Sequence, residues 1–234
     1  MPDRSSIAEA MDRARGVIED ACAQAGRDPG EVGVMAVTKT HPVALVRTAI
    51  DAGVRVFGEN RVTEGGRKIR QLGSTEGCTF HMIGPLHRKE VRQAMRDFQW
   101  IDSLDRMKIA REIARRMEVK DVPQPGLLLE VNTSGEESKH GFPPEAGRLA
   151  EVLEEISRLG LEVEGLMTVG PLGQGEKASR SAFALLRTLR HRLREDTGLR
   201  LPQLSMGMTD DFHSAVLEGS TMVRLGRYLF GSRR

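Results

Sequence analysis

Cysteine is scarce in this chain of 234 residues. Cys22 and Cys78 stand alone without paired spacing, which excludes a disulfide framework and a zinc site built on cysteine pairs. No apolar run approaches the roughly 18 residues that a membrane-crossing helix needs. The N-terminal MPDRSSIAEAMDRARG has no apolar core, so it does not resemble a secretory signal. Charge of one sign is missing too. The formal net charge is +2, and Lys and Arg are interspersed with Asp and Glu, which gives no reason to expect a nucleic-acid partner. Together these absences predict a protein of the reducing cytoplasm that touches neither membrane nor nucleic acid. A Gly-rich dinucleotide turn is also absent. The first strand runs into AVTKTHP, which is nothing like G-x-G-x-x-G.

What is present is an alternation. A hydrophobic content of 39% is enough for a core, and 29% charged residues is ordinary for a soluble chain. The chain opens on an amphipathic helix from residue 7 to about 25, with Ser6 and Glu9 of SIAE read as its capping box and Gly26 as its stop. Strand-like runs follow at Val32–Lys39, Val54–Asn60, Thr79–Gly84, Trp100–Asp105, Leu127–Thr133, Val163–Gly170, Gln203–Met208 and Thr221–Gly226. A helical stretch separates each pair. PVALVRTAIDAG, for example, has Pro42 at its first helical position and Gly53 as its stop. Eight such units predict an α/β fold, a single (β/α)8 TIM-type barrel with an extra N-terminal helix, spanning residues 1–234 as one domain. No stretch reads as a linker between two cores.

In such a barrel the chemistry sits where the strands end. Those ends carry Lys39, Asn60, His81, Asp102, Asn132, Met167, then SMGM (205–208) and RLGR (224–227). The fold tends to seat phosphate in the loops after strands 7 and 8. There Ser205, Gly207 and Gly226 offer a hydroxyl and accessible backbone N–H groups. An amine on strand 1 facing a phosphate seat suggests a phosphorylated aldehyde or ketone held as a Schiff base, since burial lowers a lysine's pKa and frees its amine. Two ligand classes stay open on this reading: pyridoxal phosphate, or a sugar phosphate in a Schiff-base aldolase.

The segments AVTKT, FGENRVTE, FHMIGPLH, VNTSGEESKHGF, GLMTVG, LSMGMTDDFHSAVLEGSTMVRLG and LFG resemble the YggS/PROSC family of pyridoxal-phosphate-binding proteins, from about residue 30 onward and in the family's order. The resemblance implies a barrel like the N-terminal domain of alanine racemase, with pyridoxal 5'-phosphate bound to Lys39. Ser205, Gly207 and Gly226 would hold the phosphate, helped by the backbone of Arg227. Arg224 would meet the pyridine nitrogen, Asn60 would lie beside the ring, and Met167 against it. The family's role is vitamin B6 homeostasis, without an established catalytic reaction. PLP-dependent apoenzymes are the expected recipients, and a monomer the expected state. The chain departs from the family pattern at Arg61, His87 and Arg227, where tyrosine, glutamine and threonine are usual. At residue 227 the change removes a hydroxyl donor and brings a guanidinium able to pair with phosphate.

Plainer readings stand beside these. Lys39 alone would be a strand-end lysine reaching solvent, Ser205 and Gly207 an ordinary turn, and Arg224 a surface arginine. His81 is read as packed, Asp102 and Asn132 as partners of backbone groups, Met167 as space-filling, and Asp210 and Asp211 as helix caps. RKEVRQAMR (88–96) reads as a solvated helix face. The enzyme alternative is an amino-acid racemase, which needs a second base opposite Lys39. In alanine racemase-like proteins that base comes from a C-terminal domain. This chain ends at Arg234, and its single tyrosine, Tyr228, falls in no motif. An arginine at the pyridine nitrogen keeps it unprotonated and a poorer electron sink. A carrier without turnover is therefore the expectation, ahead of the racemase and the aldolase.

Overall fold

The computed structural model describes residues 2–119 and 124–231. The chain end at Arg234, which bears on the expectation against a further domain, lies outside them. Eight parallel strands close into a barrel in sequence order. They are β1 (Gly33–Val37), β2 (Val56–Glu59), β3 (Thr79–Met82), β4 (Trp100–Leu104), β5 (Gly126–Glu130), β6 (Gly165–Met167), β7 (Gln203–Met208) and β8 (Met222–Leu225). Closure is made by β1 on β8, with Met35 opposite Arg224 and Ala36 opposite Leu225. The helices that follow the strands in turn are α2 (Val43–Asp51), α3 (Val62–Leu72), α4 (Val91–Asp97), α5 (Met107–Glu118), α6 (Ala146–Arg158), α7 (Gly175–Thr197), α8 (Phe212–Leu217) and the short α9 (Arg227–Phe230).

The strand alternation creates two layers. Side chains on the outer faces, among them Ala36, Phe57, Leu129, Leu166, Leu204 and Val223, join the helices in one continuous hydrophobic core. The opposite faces turn into the lumen. There Met35, Val37, Leu128 and Met167 are buried beside polar side chains: His81, Asp102, Glu130, Ser205 and Arg224. A lumen that mixes apolar filling with charge is the first sign that this layer does more than pack.

The extra N-terminal helix, α1 (Arg4–Ala25), buries Ile7, Met11, Ala14, Ile18 and Ala21 at helical spacing and packs on α8 and α9. Gly26 stops it in the left-handed region, as expected. The capping box does not form as read. Asp3 is the N-cap, its carboxylate accepting from the Ser6 N–H at 2.9 Å, while the Ser6 hydroxyl donates back to the Asp3 carbonyl. A carboxylate immediately before the first helical residue, at the helix dipole's positive end, competes successfully with the serine for that role. Pro42 is likewise one residue further out than expected, at the N-cap of α2.

Candidate functional site

Lys39 leaves the end of β1 on a backbone that is held on both sides. Thr40 has φ 66, a left-handed conformation that a β-branched residue adopts only under restraint. The restraint is visible. The Thr40 N–H donates to Glu64 Oε1 at 2.6 Å, and the Thr38 N–H donates to the Gly58 carbonyl at 3.0 Å. The Thr38 hydroxyl donates to Glu59 Oε1 at 2.6 Å. Lys68, buried on α3, ties these groups together, with Nζ 2.7 Å from the Thr38 carbonyl, 2.9 Å from Glu59 Oε1 and 2.7 Å from Glu64 Oε1. Burial pushes the Glu59 carboxyl upward, opposed by Lys68 and Thr38. Burial also pulls Glu64 upward, but the bonds from Lys68 and Thr40 outweigh it and hold that carboxyl below its ordinary value. None of this network was anticipated from the sequence. FGEN was noticed only for Asn60, and the signal available was an acidic residue at the end of β2 followed by a lysine inside an otherwise amphipathic helix.

Lys39 lines a cavity of about 460 Å³ at the C-terminal mouth of the barrel, together with Asn60, Arg224, Gly226 and Arg227. Five of the eight expected site residues are thus brought together. Arg224 is fully enclosed. It donates to the Ser205 carbonyl at 2.7 Å, the Ser205 hydroxyl at 2.8 Å and the Thr168 carbonyl at 2.7 Å. Burial lowers its pKa, and the charges of Asp102, Glu130 and Asp211 oppose that. Arg227 reaches across to pair with Asp210. Gly84 brings the chain against Asn60, where a Cβ would lie 2.3 Å from the Asn60 carbonyl oxygen. That contact holds the Asn60 end of the cavity close.

Ser205, Gly207 and Met167 are not among the lining residues. The Ser205 hydroxyl accepts from Arg224, which does line the cavity, and the residue lies three positions before the end of β7. Gly207 has φ +94, and a Cβ there would sit 2.5 Å from that of Ala215, so helix packing alone requires glycine at this position. Met167 is buried in the lumen beside Ser205 in the strand register.

His81 packs as expected, with Nδ1 2.8 Å from Asp102 Oδ1 and its ring stacked on Trp100. Asp102 therefore serves a side chain and not a backbone group, while Asn132 does hold backbone, donating to the Glu136 carbonyl at 2.9 Å. Asp211 begins α8, but its carboxylate accepts from Met208 N–H upstream. Arg88 and Arg96 of the basic stretch pair with Glu112 and Asp97.

Among the lining residues that went unnoticed in the sequence are Glu130 and Lys139. Glu130, at the end of β5, is pushed up to about 7 by burial and by the charge of Asp105, against the pull of Arg224 and Arg106. Lys139 donates to the Gly170 carbonyl and to Glu136, both at 2.7 Å, pinning the loop after β5 to the loop after β6.

Lysine, guanidinium and carboxyl groups gathered at the mouth of an eight-stranded barrel define the class, and the comparisons agree with it. The family model described as alanine racemase, N-terminal domain matches residues 20–234. The alanine racemase of Corynebacterium glutamicum shares the fold, with a TM-score of 0.70 at 17% identity, covering 99% of this chain and 62% of that one. Closer relatives narrow the assignment. The pyridoxal phosphate homeostasis protein of Pseudomonas aeruginosa is 41% identical over 230 residues, covering 98% of this chain and 96% of its own. The structure of PipY from Synechococcus elongatus with PLP bound aligns with a TM-score of 0.79 at 35% identity, covering 92% of this chain and all of that one. The chain belongs to the alanine racemase N-terminal domain family, in its branch of pyridoxal phosphate homeostasis proteins. No helix among the described residues is long and apolar enough to cross a membrane.

Proposed function

We propose that this chain, as one barrel domain, holds pyridoxal 5'-phosphate at the C-terminal mouth and serves intracellular vitamin B6 homeostasis in the cytoplasm without catalytic turnover. One observation carries the proposal: the amine-bearing Lys39, the enclosed cation Arg224 and the Gly226–Arg227 turn line one cavity of about 460 Å³, within the range of small-molecule sites. The donor set suits that group. When bound, it supplies an aldehyde that condenses with a lysine amine, losing water, and a phosphate that needs N–H donors and positive charge. Lys39 provides the amine. Gly226 and Arg227 offer backbone and guanidinium just after the last strand, and Asn60 lines the same cavity. Arg224 spends three of a guanidinium's five donors on Ser205 and Thr168, which fixes its plane and leaves donors for a ring nitrogen. Ser205 acts through Arg224, while Met167 and Gly207 shape the wall behind. The Lys68 network sets the direction of Lys39.

The carrier reading is favoured over a racemase because Tyr228, the chain's single tyrosine, packs edge-on against Phe212, and its ring is not among the described residues lining the cavity. PLP-dependent apoenzymes are the proposed recipients, and the monomer the proposed state. Addition of pyridoxal phosphate is expected to give a visible absorption band that borohydride fixes onto Lys39, detected by peptide mass. A Lys39→Ala protein that keeps the band overturns the assignment. Rapid exchange of an amino acid's α-proton in D₂O by the loaded protein overturns the carrier role.

A further inference from the structure

The opposite end of the barrel carries a second cleft, of about 740 Å³, at the N-terminal ends of β1, β7 and β8. Four arginines line it, Arg27, Arg187, Arg190 and Arg194, against one carboxylate, Glu31. Structural duties account for three of them. Arg27 donates to the carbonyls of Val216 and Ser220 at 2.8 and 3.0 Å. Arg194 donates to those of Arg200 and Leu201 at 2.6 and 3.1 Å. Arg187 is paired with Glu218 at 2.6 Å.

Arg190 is different. Its recorded bond is a long one, 3.3 Å from Nη1 to the Pro202 carbonyl, and its Nε is buried with no partner among the described residues. Burial and then the charges of Arg194, Arg27 and Arg187 push its pKa down to about 10. A buried guanidinium N–H left unmade is costly, and so is the repulsion of Arg190 by Arg194, Arg27 and Arg187, even with Glu31 paired to Arg27 and Glu218 to Arg187. Both costs are removed by the same thing, an acceptor that carries negative charge. Oxygens of a tetrahedral anion match the guanidinium fork and can accept from several arginines at once.

We propose that this cleft is a binding site for a small oxyanion of the phosphate class, separate from the lysine-bearing mouth and independent of what that mouth holds. Calorimetric titration of inorganic pyrophosphate into the full chain, with ionic strength held constant by chloride, tests it. Saturable binding is expected, and it persists in the Lys39→Ala, Arg227→Ala double variant, which disables the other mouth. Arg190→Gln is expected to weaken it by about tenfold or more, and Arg190→Lys, which keeps the charge, by less. No saturable binding to the unmodified chain, loss of all binding in the double variant, or equal affinity in Arg190→Gln overturns the proposal. Should Arg190→Gln fail to fold, Arg187→Gln at the cleft's rim reads the same loss. A rise in Tm of the unmodified chain with pyrophosphate at constant ionic strength is the independent measure, and no rise counts against the site.

Discussion

The two mouths of this barrel hold their cations in opposite ways. At the C-terminal end every buried positive group is answered: Lys68 by Glu59 and Glu64, and Arg224 by Ser205, Thr168 and the nearby charges of Asp102, Glu130 and Asp211. At the N-terminal end Arg190 lies among three other arginines with its Nε unanswered. Compensated charge makes a rigid frame, and its removal should be destructive. Uncompensated charge is a standing cost, and its removal should be cheap unless a ligand is present.

The largest effect that could break this contrast is at Lys68. Lys68→Met strands the buried Glu59 carboxylate, unpairs the partly exposed Glu64, and is expected to cost about 3–5 kcal/mol, read by urea denaturation. Loss of less than about 1 kcal/mol would mean that the frame is not needed to hold the Thr38–Thr40 turn.

Glu130 comes next, through pH. Its carboxyl binds a proton more tightly in the folded chain than its ordinary value of 4.5 allows, rising to about 7. The folded state therefore holds more protons than the unfolded state between those values, and this group's contribution to stability falls as pH rises through the window. Glu130→Gln is expected to flatten that fall, with a gain at pH 8 on the order of 3 kcal/mol at most. An unchanged pH profile of unfolding would place the proton elsewhere.

Gly84→Ala should follow. A methyl placed 2.3 Å from the Asn60 carbonyl forces backbone apart, at a cost of about 1–3 kcal/mol and with weakened cofactor retention. At the other mouth, in phosphate-free chloride buffer, Arg190→Gln is expected to change stability by less than about 1 kcal/mol in either direction, because lost packing is offset by relieved repulsion. A loss as large as that of Lys68→Met would erase the difference between the two ends. Asp3→Ala, at the α1 cap, should produce the smallest fall in Tm.

Much of the architecture was legible. β7 was placed at its observed bounds, and the other strands to within a few residues, because short apolar runs and the glycine stops of the helices between them are local signals. Lys39, Asn60, Arg224, Gly226 and Arg227 could be grouped because strand ends in a closed barrel must share a mouth. Register was not legible. Ser205 turns inward to accept from Arg224, whereas Gly207 lies where the β7–β8 register shifts and its Cα faces Ala215 of α8, because register between strands is decided by neighbours and not by the strand's own residues. The capping of α1 was misjudged because Ser6 and Asp3 both satisfy the local pattern, and only the backbone's path chooses between them.

The order of residues alone was enough to specify eight strands, the helices between them, and an amine at the tip of the first, because these depend on neighbours a few positions apart. Which charges would be matched was a matter for the folded chain. Lys68 meets Glu59 and Thr38, and Arg190 meets Arg27, only once distant segments are pressed into the same low-dielectric space, and Coulomb energy there depends on distance through space and on burial, neither of which is written along the chain.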